Sequence, residues 1–167
     1  MYLNVNEAYA AFNSKLAKEE KNDCFVRTLA VASGSTYETA HSFCKNEFGR
    51  VDKKGTDNLN IVTKMLGYSE NGLQIGDNKL EVEILPKARI KNTYKLYGEL
   101  IERQKTIASF IKDNPSGKFM VMVAGHALAI IDGEVYDWNN NKFKPTRKVQ
   151  AAYEITKSEN QVQLSLF

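Results

Sequence analysis

Residues 119–131 are the longest strongly apolar stretch of this 167-residue chain, which a single Gly-His pair interrupts. The stretch is too short to cross a bilayer as a helix, which needs about 20 apolar residues. Asp132 and Gly133 follow at once, and an Asp-Gly pair after an apolar run signals a two-residue β-turn. Strand-forming residues return over 134–138. The last third of the chain is therefore predicted to contain an antiparallel sheet built around this hairpin.

Helical spacing of apolar residues dominates the chain before residue 118. Asn22 and Asp23 are residues that favour helix N-termini, and the apolar positions after them recur at helical spacing until Gly34. Cys24 is therefore predicted to lie in the first turn of a helix.

The remaining elements complete an α+β fold. Four further helices are predicted: from Asn6 to the polar run 18–23, from Ser35 or Thr36 to Gly49, from Thr56 to Gly67, and from Thr93 through Ile111. Further strands are predicted over 79–85, 148–156 and 161–167. We expect one domain, 1–167, in which a helical half that carries Cys24 packs on the antiparallel sheet.

Composition limits the function classes. With 43% hydrophobic and 26% charged residues the chain is typical of globular proteins, and its length suits one core. A net charge of +3 gives little attraction for polyanions, so no nucleic-acid partner is expected. The sequence starts with no basic-then-apolar leader and predicts no membrane span. Two cysteines do not make a disulfide scaffold, which favours a reducing, cytoplasmic location.

A cysteine at a helix start and a histidine in a strand suggest thiol chemistry. The positive end of a helix and a nearby imidazolium both stabilise a thiolate, the nucleophilic form of cysteine. The chain has two histidines. His41 falls among polar residues of a helix that nothing places near Cys24, whereas His126 opens the apolar strand, where a buried polar ring needs a reason. His126 is therefore the predicted partner of Cys24.

The hairpin register offers two acceptors for the second nitrogen of His126. If Asp132 and Gly133 are the turn residues, Asn139 lies directly across from His126 and Asp137 lies diagonally. Asp137 would hold an imidazolium more strongly through its charge, and Asn139 would orient the ring without charge. The register alone leaves both open.

These residues resemble small papain-like cysteine peptidase domains, many of them encoded by bacteriophages. The resemblance is carried by Asn-Asp-Cys at a helix start with Arg and Ala inside the helix, by Gly-Ser-Thr-Tyr-Glu-Thr-Ala at the next helix, and by Gly-His-Ala-Leu-Ala-Ile-Ile-Asp-Gly followed by Tyr-Asp-Trp. It covers residues 22–49 and 117–141. The fold it implies is papain-like.

The resemblance implies Cys24 as nucleophile, His126 as general base and then acid, and Asp137 as the residue that orients His126. It implies no cofactor and a protein or peptide substrate, with a host protein as one candidate and the host cytoplasm as the location of a viral enzyme. Papain-like enzymes usually carry a glutamine six residues before the cysteine to bind the oxyanion, and Lys18 stands there. The side-chain amide of Asn22 is an alternative donor beside the backbone N–H of Cys24.

Other interpretations remain for the same residues. Cysteine is often simply buried, and Cys44 is predicted to belong to the core. His41 and Cys44 lie three apart on a helix, but no second pair completes a metal site, so no metal is expected. A cell-wall amidase or endopeptidase would use the same chemistry. In a third interpretation the protein is an inactive papain-like phage protein that binds and inhibits a host protein, and Lys18 favours this interpretation.

Overall fold

The computed structural model of the chain describes residues 5–6, 14–137 and 144–158. Its helices are α1 Lys15–Glu19, α2 Cys24–Ser33, α3 Tyr37–Glu47, α4 Asn58–Asn71, α5 Lys87–Ile90 and α6 Ile107–Asp113. Its strands are β1 Val5–Asn6, β2 Leu73–Ile75, β3 Asn78–Ile84, β4 Lys91–Leu96, β5 Glu99–Gln104, β6 Lys118–Val123, β7 His126–Ile131, β8 Glu134–Tyr136 and β9 Ala151–Lys157. The fold is α+β.

Within the described residues, the main sheet has seven strands in the order β1-β8-β7-β6-β9-β3-β2. All neighbours are antiparallel except β1 and β8, which pair in parallel. The apolar strands β6 and β7 therefore lie near the middle of the sheet, where both faces are covered.

Two cores cover the two faces of this sheet. On one face, α2 packs against β7 and β6, and the core there includes Leu29, Met65 and Met120. On the other face, α6 packs against a core that includes Phe119 and Leu128. Met120 and Phe119 are neighbours in β6 that point to opposite faces, as the pleat of a strand requires.

The helix that begins with Cys24 forms as predicted. Asp23 is the N-cap residue of α2, and Gly34 ends the helix with φ 71°, a left-handed conformation that glycine adopts without steric cost. In α3 the cap is Thr36, whose hydroxyl accepts a hydrogen bond from the Thr39 N–H. Cys24 therefore lies at the N-terminal end of a buried helix, as the sequence predicts.

The predicted hairpin register is also confirmed. Asp132 and Gly133 have φ 48° and 79°, as a type I′ turn requires, and Ile131 pairs with Glu134. The apolar stretch 119–131 itself divides at a second tight turn, and Val123 of β6 pairs with His126 of β7. Gly125 has φ 67° in that turn. His126 is thus the first residue of its strand.

The helix predicted from Thr93 to Ile111 is wrong over most of its length. Residues 91–104 form the hairpin of β4 and β5, and only α6 is helical. Tyr97 and Gly98 are the turn, with φ 49° and 80°. Both strands are largely exposed, so burial imposes no alternation on their sequence and the leucines mimic helical spacing.

Other predicted boundaries also differ from the structure. Helix α4 starts at Asn58 rather than Thr56 and continues through Gly67 to its C-cap Gly72, which has φ 82°. An interior glycine weakens a helix by about 1 kcal/mol without ending it. Asn6 lies in β1, and residues 7–13 of the helix predicted to begin there lie outside the described residues. Helix α1 starts after Ser14 and extends into the predicted loop at 18–23. The strand predicted over 161–167 lies outside the described residues.

Among the residues that the structure describes, no helix is long and apolar enough to cross a membrane.

Candidate active site

Cys24 opens onto a cleft between the start of α2, the residues that lead into α4 and the β6–β7 turn. The cleft has a volume of ≈ 350 Å³ and includes Phe25, Ile61 and Met122 in its wall. The rest of its lining is Asn22, Cys24, Gly55, Thr56, Asn58, Val123, Gly125, His126 and Ala127. His126 is therefore the only titratable group besides the thiol among the described residues of this wall.

His126 and Asp137 form a buried pair beside Cys24. The Nε2 atom of His126 lies 3.0 Å from Oδ1 and 3.1 Å from Oδ2 of Asp137. The side chains are 3% and 0% exposed, so the pair is shielded from water. Asp137 follows β8 directly, one residue beyond the Ala129–Tyr136 pair, and continuation of that register corresponds to the diagonal position that the sequence predicts.

The thiol of Cys24 completes the arrangement. Burial lowers the pKa of His126, but hydrogen bonds with Asp137 and with Cys24 and their charges outweigh it and raise the pKa to about 9. Because Asp137 occupies Nε2, the ring nitrogen left for Cys24 is Nδ1. The ring therefore lies between a sulfur and a carboxylate, an order in which a general base can take a proton from the thiol.

The candidate oxyanion donors differ in position. Asn22 lines the cleft with φ 53°, and its amide donates to the Lys53 carbonyl at 3.2 Å. Lys18 is exposed on α1 and takes no part in the cleft wall. Of the two predicted acceptors for His126, the described residues include Asp137, which contacts the ring. Asn139 lies outside the described residues.

Cys44 and His41, which the sequence does not assign to the site, lie in other surroundings. Cys44 is fully buried in the core, as predicted, and burial raises its pKa to about 12. His41 is also buried, and its Nε2 lies 3.3 Å from Glu20 and 3.5 Å from Asp52.

The donor atoms of Glu20, His41 and Asp52 come within 4.8 Å of one another, a spacing that a metal ion could bridge. Arg50 forms an ion pair with the Glu20 oxygen that faces His41, and Lys45 lies 3.3 Å from Asp52. The carboxylates are thus already matched by cations, which is the chemistry of a structural ion-pair network. Sequence reasoning missed this cluster because its members come from three separate segments.

Sequence reasoning also missed the wall of the cleft that Gly55, Thr56, Asn58 and Ile61 supply. These residues carry no local signal for a site. The tertiary fold brings the segment that leads into α4, and the first turn of α4, to the same cleft as the start of α2.

Comparisons with protein-family models, with curated proteins and with solved structures find no significant match to this chain.

Proposed function

We propose that this protein is a papain-like cysteine hydrolase, a thiol peptidase, amidase or isopeptidase that works through Cys24, His126 and Asp137. The observation that carries the proposal is the position of His126, bonded to a buried carboxylate at Nε2 and interacting with the Cys24 thiol. The ring joins the Cys24 thiol, which lines a cleft, to a buried carboxylate, and this order of nucleophile, base and orienting group is the one expected of a catalytic site.

The reaction that fits these groups is acyl transfer to water. His126 takes the proton of the thiol, and Sγ attacks the carbonyl carbon to give a tetrahedral oxyanion. The bond to the leaving nitrogen then breaks, and His126 returns its proton to that nitrogen, which leaves a thioester on Cys24. Water attacks the thioester with His126 as base, and Sγ departs as the acid forms.

Asp137 and the start of α2 have separate roles in this scheme. Asp137 holds the ring so that Nδ1 faces the sulfur and stabilises the imidazolium that forms. The backbone N–H of Cys24 lies at the positive end of a helix and is a donor for the oxyanion. The amide of Asn22 is within the same wall and is the candidate second donor.

The lining of the cleft favours a protein or peptide substrate with uncharged side chains next to the scissile bond. Phe25, Ile61 and Met122 offer apolar contact, and Asn22, Thr56 and Asn58 offer neutral hydrogen-bonding groups. A reducing cytoplasm, including that of a host cell for a bacteriophage protein, belongs to the same proposal because the thiol must stay reduced.

An active-site thiol probe tests the proposal with a control inside the chain. The intact protein is treated with iodoacetamide, and the modification of Cys24 and Cys44 is followed separately by mass spectrometry. Cys24 should react far faster, and His126→Ala should slow it. Equal rates at the two cysteines, or a Cys24 rate that is unchanged in His126→Ala, would exclude the hydrolase.

A second candidate function is an inactive papain-like protein that binds and inhibits a host protein. It is favoured by Lys18, which stands where a glutamine would supply an oxyanion donor and which is exposed away from the cleft. Under this function the probe would show no preference for Cys24, and a pulldown from host lysate would capture the same partner with the intact protein and with Cys24→Ala. A hydrolase would retain its substrate only in the Cys24→Ala variant.

A further inference from the structure

A buried carboxylate immediately precedes the candidate nucleophile. Asp23 is 3% exposed, and its Oδ2 atom accepts hydrogen bonds from Arg27 Nε at 2.9 Å and from the Tyr37 hydroxyl at 2.6 Å. A buried carboxylate is costly without such partners. Arg27 comes from the next turn of α2 and Tyr37 from the first turn of α3, so two helices hold this one side chain.

The partners of Asp23 are themselves fixed. The Nη2 atom of Arg27 donates to the Ala17 carbonyl at 3.1 Å, and its guanidinium carbon lies 5.2 Å from the centre of the Tyr37 ring. Tyr37 is 1% exposed. Burial and the hydrogen bond to Asp23 raise the pKa of Tyr37, so its hydroxyl stays protonated and remains a donor.

Asp23 occupies the N-cap position of α2 yet makes no capping hydrogen bond. An aspartate at this position normally accepts from the backbone N–H groups of the first turn, and its charge then neutralises the positive end of the helix. Here the carboxylate is turned away from the first turn to Arg27 and Tyr37. The positive end of α2 is therefore left to the Cys24 side of the cleft.

We propose that Asp23, Arg27 and Tyr37 form a positioning unit that withholds a carboxylate from the start of α2, so that the helix end stabilises the Cys24 thiolate and the oxyanion instead. The proposal rests on the proposed function. Asp23, Arg27 and Tyr37 touch no substrate; they act through the first turn of α2. His126 of β7, which lines the same cleft, and Asp137 after β8, which holds that ring, act on the thiol from the sheet.

The test compares the rate of Cys24 alkylation against pH in the intact protein and in two variants. Tyr37→Phe deletes only the hydroxyl, and Arg27→Gln deletes the charge. Tyr68→Phe is the matched control, because its hydroxyl bonds Glu47 at 3.4 Å on the exposed side of the fold. The folded fraction of each variant is measured by circular dichroism in the same buffers, and rates are compared only for folded protein.

We expect Tyr37→Phe to slow the alkylation of Cys24 at neutral pH severalfold and Arg27→Gln to slow it about tenfold, the size of a helix-end charge effect in a partly buried site. Arg27→Lys should recover part of the loss. Unchanged Cys24 profiles in folded Tyr37→Phe would overturn the proposal, as would an equal loss in Tyr68→Phe. If Arg27→Gln does not fold, Tyr37→Phe decides. Failure of the proposed function gives a different result. In that case the rate of Cys24 alkylation against pH would be the same in His126→Ala as in the intact protein.

Discussion

Replacement of Asp137 by asparagine tests how the His126 imidazolium is held. The new side chain would keep nearly the shape of the aspartate and lose its charge. In the intact protein the pKa of His126 is about 9 rather than the ordinary 6.5, although burial by itself lowers it. At about 1.4 kcal/mol per pKa unit, the protein favours the protonated ring by about 3 kcal/mol.

The expected effect follows from the loss of that charge. An adjacent opposite charge typically shifts a pKa by about 1–3 units, so the pKa of His126 should fall to about 6–8 in Asp137→Asn. The raised pKa also links to stability. Because the folded-state value lies above the ordinary one, the stabilisation is fully present below pH 6.5 and is lost as the pH rises through about 9. Asp137→Asn should therefore lower the free energy of unfolding more at pH values below 6.5 than above 9.

The assay is an NMR titration of the histidine ring protons. The chain has only two histidines, so His41, which lies in a separate cluster, serves as an internal reference. Asp132→Asn is the matched control, because Asp132 lies at the other end of β7 and accepts from the Gly117 N–H. An unchanged His126 midpoint in Asp137→Asn would refute the account. An equal shift in Asp132→Asn, or a larger effect of Asn139→Ala on the midpoint, would also refute it.

Three further predictions concern the site and the core. Cys24→Ala and His126→Ala should each abolish hydrolysis while the circular dichroism spectrum is retained. The double variant should be no less active than either single variant, since the effects of residues in one catalytic unit are not additive; additive losses in a substrate assay would show that the two residues do not act as one unit. Cys44 should resist alkylation in the folded protein, because burial raises its pKa to about 12, and its labelling should be limited by the rate of global unfolding. Fast labelling under native conditions would contradict its core position. Met65→Ala should lower the unfolding free energy by about 2–5 kcal/mol, whereas Leu66→Ala, at a side chain that is 53% exposed, should change it by about 0.5 kcal/mol or less in urea titrations; similar losses would contradict the assigned face of α4.

Local signals in the sequence were sufficient for the elements that carry the candidate residues. Asn22 and Asp23 before Cys24 indicate a helix start, and Asp132 and Gly133 indicate a turn, because residue preferences for the N-cap position and for positive φ angles depend on a few neighbouring residues. Asp23 occupies the N-cap position without the capping hydrogen bond that this preference normally reflects. The register of β7 and β8 then followed from the length of the turn. The fold class and the core position of Cys44 could be predicted from periodicity for the same reason.

The hairpin of β4 and β5 shows where local signals fail. Its strands are exposed, so no buried face imposes an alternating pattern on the sequence, and Tyr97 is an uncommon residue for a turn position with φ 49°. Leu96 and Leu100 then fit helical spacing equally well. Only pairing between the two strands, which is a property of the folded chain, decides the element.

The sequence by itself determined where Cys24 and His126 lie in their elements and limited the acceptor for His126 to Asp137 or Asn139. Tertiary structure alone brought the start of α2 to the β6–β7 turn and gave Nε2 of His126 its two contacts with Asp137. It also turned Asp23 from the cap position toward Tyr37, 14 residues along the chain. These contacts join segments far apart in sequence, and their geometry depends on how the helices pack on a twisted sheet, which no local pattern encodes.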